Sequence, residues 1–402
     1  MSSHGIRDRV AIVGMGCTRF GERWDSSTDD LLTDAVTDAL ASAGTGLSTV
    51  DAFWLGTHTS GTAGLTLSRP LRLAGRPVTR VENLCATGSE ALRNACYAVA
   101  AGAYDVAMAV GVEKLKDSGF AGLVVTPPPS DGTGGPGEIS SPASFSLLVP
   151  AYCTAWGVPP QKLKDAMTHI AWKNHRNGVH NPRAQYRTEV SPDTIRGAAT
   201  VAGALGVFDC SGVSDGAAAA IVVPARDAYR YTDRPIFVKG LSLVAGSGSG
   251  LADEDYDFAS IPEVAASAHD AYAQAGIEAP LEQLAFAEVH DCFTITELVL
   301  MEELGFAARG TAWRRVLDGA YDLDGELPVN PDGGLKAFGH PVGASGLRMM
   351  FECWQQLRGE AGPRRAVPAV AAGRTLALTH NLGGVPGDCV SFVAVVGAER
   401  TI

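Results

Sequence analysis

Val81-Glu82-Asn83-Leu84-Cys85-Ala86-Thr87-Gly88-Ser89-Glu90 and Gly339-His340-Pro341-Val342-Gly343-Ala344-Ser345-Gly346 are two versions of one device. Each is a tight turn that opens an apolar helix. The first runs on through Leu92, Ala95, Cys96, Ala98, Val99 and Ala100, the second through Leu347, Met349, Met350, Phe351 and Trp354. A helix N-terminus presents unbonded backbone N–H groups and partial positive charge. A cysteine held there is expected to have a lowered pKa, and the thiolate is the attacking form. Cys85 is therefore a candidate nucleophile, set against the ordinary alternative of a buried structural thiol.

The elements around these turns repeat as well. Val10 to Met15 reads as a strand, and Ser27-Thr28-Asp29-Asp30 as a capping box. Leu31, Leu32, Ala35, Val36, Ala39, Leu40 and Ala43 keep helical spacing up to Gly44, and Val50 to Leu55 is the next strand. The second half repeats the order: strand Ile236 to Val244, a helix start at Ser260-Ile261-Pro262-Glu263, a periodic helix stopped by Gly276, and strand Leu284 to Val289. Each half closes on a strand, Asp105 to Val110 and Cys389 to Val396. The expected fold is α/β, with two similar βα halves related by pseudo-twofold symmetry. Residues 1–117 and 161–230 form the first half and 231–402 the second. Residues 118–160, with Pro127-Pro128-Pro129 and a glycine-rich run at 132–137, are too long for a simple connector and are expected to lie over the site and shape an acyl pocket.

Composition narrows the function. Apolar residues make up 46% of the 402, enough for a large core. Lys and Arg number 32 against 44 Asp and Glu, a formal charge of −12, and no long basic run argues for nucleic acid. No apolar run reaches the ~18–20 residues that span a bilayer. The eight cysteines show no zinc spacing or CxxC pair. With no signal peptide in view, a reducing cytoplasm is the expected location, where Cys85 stays free.

Three further clusters fall at strand ends or helix starts: His290-Asp291-Cys292-Phe293, His340 within its turn, and Thr379-His380-Asn381-Leu382-Gly383-Gly384. Singly, each has a dull explanation as a core histidine or turn punctuation. His290, Cys292 and His380 also compose a conceivable metal set, but their spacings match no zinc framework. Together with Cys85 they suit acyl transfer through a thioester, which needs a thiolate, an acid/base pair and donors for a developing oxyanion.

On these motifs, with Asn181 to Arg187 and Ser214 to Ala218 in support, the chain resembles a thiolase over essentially its whole length. More narrowly, it resembles the sterol-carrier-protein type and its bacterial acetyl-CoA acetyltransferase relatives. The resemblance implies Cys85 as nucleophile, His340 as its base, and Cys292 as the second acid/base. The last replaces the C-terminal Cys-x-Gly cysteine of many thiolases, where this chain has His380-Asn381-Leu382. His290, in place of an asparagine, would form one oxyanion hole with His340. Backbone N–H groups of Cys85 and Leu382 would form the other, and His380 would face the same cavity. The implied reaction is reversible cleavage of a 3-ketoacyl-CoA, or the reverse Claisen condensation. Coenzyme A is then a co-substrate, and neither a permanently bound cofactor nor a metal is implied. A homodimer and a small zinc-ribbon/OB-fold partner protein are also implied. Competing readings are a thiolase-like aldolase acting on a steroid or other beta-hydroxyacyl-CoA, a non-catalytic lipid-binding subunit, and a ketoacyl synthase. An acidic chain that binds coenzyme A needs a local basic patch. Lys173, His175, Arg176, Arg183 and Arg187 are the densest stretch, equally readable as a solvated helix face.

Overall fold

The computed structural model describes residues 4–119, 122–125 and 139–401; Pro127-Pro128-Pro129 and the 132–137 run lie outside them. Nine strands form the main sheet: β1 Val10–Cys17, β2 Ala52–Gly56, β3 Val78–Val81, β4 Ala107–Glu113, β5 Gly216–Pro224, β6 Ile236–Ala245, β7 Leu284–Glu288, β8 Leu376–Val385 and β9 Asp388–Gly397. Their spatial order is β7-β8-β9-β6-β1-β5-β4-β2-β3. From the middle outward, β1-β5-β4-β2 and β6-β9-β8-β7 follow the same pattern: antiparallel, antiparallel, parallel. The halves join where β1 meets β6, over only Ala11–Phe237 and Ile12–Ile236. This is the expected pseudo-twofold α/β arrangement, with β3 as an extra edge strand on the first half.

Six helices matter for the layers: α1 Thr28–Ser42, α2 Thr87–Ala100, α3 Pro160–Val179, α4 Pro262–Ala275, α5 Thr294–Glu303 and α6 Ser345–Leu357. The capping box forms, with Ser27 Oγ accepting from Asp30 N–H and Asp30 accepting from Ser27 N–H. Pro262 sits in the first turn of α4, where its missing N–H costs nothing, and Gly276 ends that helix in the left-handed conformation. β1 and β5 are buried along their whole length. Strands covered on both faces read as nearly continuous apolar runs, and here α1 and α2 supply the two covers. α1 packs on β1, β5 and β4, and α4 on β6 and β9. Between the halves lie α2, against β4, β2 and β5, and α6, against β8 and β5. The two middle helices touch at their first turns. A Cβ at Gly346 would collide with Ser89 Oγ and Asn381 Oδ1, so the contact requires glycine.

Residues 114–215 leave the sheet at β4 and return at the neighbouring β5. At the equivalent place in the second half, β8 and β9 are joined by a tight turn at Pro386-Gly387. The excursion crosses over: α3 buries Leu163, Ala166, Met167 and Ile170 in the same cluster as Leu298, Val299 and Leu378 of the second half.

Candidate active site

The parallel strand β3 delivers the chain to the Cys85 turn, which α2 then carries away. Leu84 is left-handed at φ 52°, a conformation that costs a non-glycine residue on the order of 1–3 kcal/mol. Surrounding bonds hold it there. Leu84 N–H donates to Glu82 Oε1 at 2.7 Å, Asn83 N–H donates to Thr87 Oγ1 at 2.8 Å, and Glu82 Oε1 also meets His58 Nδ1 at 2.9 Å. Gly383 of β8 lies so close that a Cβ there would strike the Asn83 carbonyl. The expected lowering of the thiol pKa is not what the surroundings produce. Burial pushes Cys85 up to about 12, and the carboxylates of Glu82 and Glu113 act in the same direction. The resting thiol is protonated, so attack requires a base.

His340 is arranged as that base. Its backbone N–H donates to Ser214 Oγ at 3.0 Å, and its Nδ1 meets Ser345 Oγ at 2.7 Å. Ser345 spends its one hydroxyl hydrogen on the Pro341 carbonyl at 3.0 Å. It must therefore accept from His340, which fixes hydrogen on Nδ1 and leaves the Nε2 lone pair bare. Nε2 is buried without a hydrogen-bond partner among the described residues. Burial, then Arg348, lowers His340 to about 3, so the ring is neutral.

His290 has the opposite tautomer. Ser89 Oγ donates to Asn381 Oδ1 at 2.6 Å, which turns the amide so that Nδ2 donates to His290 Nδ1 at 3.3 Å. The ring hydrogen of His290 is then on Nε2, a donor rather than a base. Burial, followed by the neighbouring His340, keeps this ring neutral as well. The His290 and His340 rings stand edge to face, 5.3 Å between centroids. Donor atoms of Cys85, His290 and His340 lie within 4.8 Å of one another. Such a set could hold a metal ion, but in this tautomer His290 offers Nε2–H and not a lone pair.

Cys85, His290, Cys292 and His340 line one cavity of about 120 Å³, with Phe145, Phe293 and Val342 among its apolar walls. Cys292 is buried, with Sγ 3.8 Å from Thr296 Oγ1. Burial, then the charge that Cys85 would carry, pushes its thiol well up. Its loop is fixed from behind: Asp291 accepts from Leu335 N–H at 2.6 Å and Asn174 Nδ2 at 2.8 Å, and Asn330 Oδ1 accepts from Val289 N–H at 2.8 Å.

His380 is not where the sequence put it. The 379–384 motif does not follow a strand; it lies inside β8, which continues to Val385. Alternate residues of a strand face opposite ways. His380 therefore points with Leu378 and Leu382 into the outer core, where Nε2 meets Ser391 Oγ at 3.1 Å. It does not line the cavity among the described residues; its neighbour Asn381 turns inward and reaches His290. Leu382 is likewise a core side chain, and Gly384 is the β8 residue on the cavity wall. Asn381, Ser89, Ser345 and Ser214 carry no chemistry of their own; all four lie inside the quoted motifs, and nothing there marked them as positioning residues. Nor do the five basic candidates form one free patch. Lys173 is buried against Glu297 at 2.8 Å, His175 is buried, and Arg183 Nε is committed to the Cys17 carbonyl at 2.7 Å.

Residues 10–121 match the thiolase N-terminal domain, and residues 249–395 match a thiolase C-terminal domain-like model. An acetyl-CoA acetyltransferase of Methanothermobacter thermautotrophicus is 36% identical over 400 residues, covering 96% of this chain and 99% of that protein. Human sterol carrier protein 2 is 32% identical, covering 93% of this chain and 70% of that one. Among solved structures, the Ltp2-ChsH2(DUF35) aldolase superposes with a TM-score of 0.81 at 22% identity, over 98% of this chain and 99% of that one. Acetyl-CoA acetyltransferase from Syntrophomonas wolfei superposes with a TM-score of 0.69 at 17% identity, over 98% and 100%. The chain belongs to the thiolase family. Its activity is that of an acyltransferase of this family.

Proposed function

We propose that the protein catalyses reversible, coenzyme A-dependent cleavage of a 3-ketoacyl-CoA through an acyl group carried on Cys85. The observation that carries this is the convergence on one cavity of a protonated thiol, a bare imidazole nitrogen and a second thiol. His340 Nε2 takes the Cys85 proton as sulfur attacks the 3-keto carbon. The bond between C2 and C3 breaks, and its electron pair passes to the thioester as an enolate. Cys292 gives its proton to C2, releasing acetyl-CoA and leaving a Cys292 thiolate, with the shortened acyl group still on Cys85. That thiolate takes the proton of incoming coenzyme A, whose sulfur attacks the acyl group; the shortened acyl-CoA leaves, and Cys85 regains its proton from His340. His290 Nε2–H, joined by the newly protonated His340, faces one oxyanion. Backbone N–H groups at Cys85 and on β8 at Leu382 face the other. Losing one such donor costs on the order of 3 kcal/mol in the barrier. His380 enters only as a support of β8.

Coenzyme A is a substrate in this scheme, and no step calls on a resident cofactor. Among the described residues no helix is long and apolar enough to cross a membrane. A reducing cytoplasm suits the free thiols. The proposal includes a second copy of the chain, supported by β3 being the outermost strand of the sheet, with an unpaired outer edge among the described residues. It also includes a small zinc-ribbon/OB-fold partner, supported by the pairing in the Ltp2-ChsH2(DUF35) structure.

The test is turnover of acetoacetyl-CoA with coenzyme A, and mass spectrometry of the intact protein for an acyl adduct. Wild type is expected to turn over and to gain an adduct at Cys85, while Cys85→Ala shows neither. Unchanged carbon–carbon cleavage in Cys85→Ala would overturn the acyl-enzyme and favour an aldolase.

A further inference from the structure

The thiolase reading leaves the length of the acyl chain open, and the apolar end of the cavity speaks to it. Phe293 follows Cys292 directly, and both line the cavity. Phe145 comes from the other side, on the helical turn Ser141–Ser146. That turn is tied down at its start, since both the N–H and the hydroxyl of Ser141 donate to the Leu123 carbonyl at 3.1 and 2.8 Å. The two rings lie 4.8 Å apart at 36°. Both belong to the buried cluster that contains Leu148 and Tyr152, each 0% exposed. The ring pair is thus part of the packed core that borders the cavity.

We propose that the Phe145–Phe293 pair closes the acyl end of the cavity and makes the enzyme selective for short 3-ketoacyl groups, with Phe145 the length-determining residue. This inference rests on the thiolase reading above. A cavity of about 120 Å³ is somewhat smaller than the ~150 Å³ space that holds one benzene ring. That volume matches the acetoacetyl group, about six non-hydrogen atoms. Phe293 is fixed in place by the catalytic loop it belongs to. Phe145 lies on the inserted segment and carries no reacting group.

The experiment measures kcat/KM for acetoacetyl-CoA and 3-ketooctanoyl-CoA in wild type, Phe145→Leu and Phe145→Ala. Because one methylene misfit in an apolar pocket costs roughly 10- to 200-fold in kcat/KM, wild type is expected to favour acetoacetyl-CoA by at least about tenfold. The ratio of long to short should rise by at least about tenfold in Phe145→Ala and by less in Phe145→Leu. The ratio does not depend on how much enzyme is folded, and Phe145→Leu preserves most of the packing if Phe145→Ala fails to fold. Equal use of both substrates by wild type, or a ratio unmoved in a folded, active variant, overturns the proposal. Wild type inactive on both substrates overturns the thiolase reading instead, and is thereby told apart.

Discussion

At the scale of single residues, chemistry is decided by where hydrogens sit. Ser345 and Asn381 do not line the cavity among the described residues, yet one leaves His340 a bare nitrogen and the other gives His290 a donor. Replacing His340 with Asn removes the base while the thiol stays protonated. General acid–base catalysis is worth ~10²–10⁴-fold, so kcat is expected to fall by about that factor, and iodoacetamide alkylation of Cys85 should slow with it. The pH profile carries a second signature. His340 titrates at about 3 rather than 6.5, so its neutral, proton-accepting form dominates throughout the range above that value. Wild-type kcat/KM should therefore show no acid limb near pH 6.5; a limb centred there would mean an ordinary histidine is the base. Four of the five side chains read from the sequence line the cavity. His380 does not, and the reason is a period: glycines at 383 and 384 look like a turn, while β8 runs on through them to Val385 and gives the inward place to position 381.

At the scale of elements, the site is an encounter between two helix starts. Glycines at 88, 343 and 346 let them meet, and the meeting sets Ser89 against Asn381. Gly346→Ala should therefore fail twice. Overpacking a buried contact costs typically ~1–3 kcal/mol, read as a lower thermal midpoint. Displacement of Asn381 should also lower kcat with little change in KM, a split that simple destabilisation of α6 would not give. Most elements were legible because their signals are local: the Ser27 capping box, Pro262 and Gly276 around α4, and apolar periodicity. The destination of α3 was not. Its sequence shows an apolar stripe but not which half of the molecule that stripe meets: the helix lies in sequence between two strands of the first half, yet it packs on the second.

At the scale of the whole molecule, charges deep in the core fasten the second half together. Arg348 of α6 meets Glu288 of β7 at 2.6 Å and also Asp332, and all three are 0% exposed. Arg348 is in addition one of the influences that keep His340 neutral. Arg348→Met strands two buried carboxylates and is expected to cost ~3–5 kcal/mol, measured by urea unfolding. Adding Glu288→Gln should recover part of that loss, because one stranded charge is removed. A double variant less stable than Arg348→Met alone would show that Glu288 earns its place through other contacts.

The long excursion from β4 to β5 has a consequence for how such a protein can diversify. Its two ends are anchored on adjoining strands, so lengthening or rewriting it adds only a logarithmic entropy cost and leaves the duplicated scaffold unaltered. The reactive sulfurs and imidazoles are held by the repeated framework, while Phe145 of the cavity wall is carried by the excursion. Taste in fuel can drift between lineages without the engine being rebuilt.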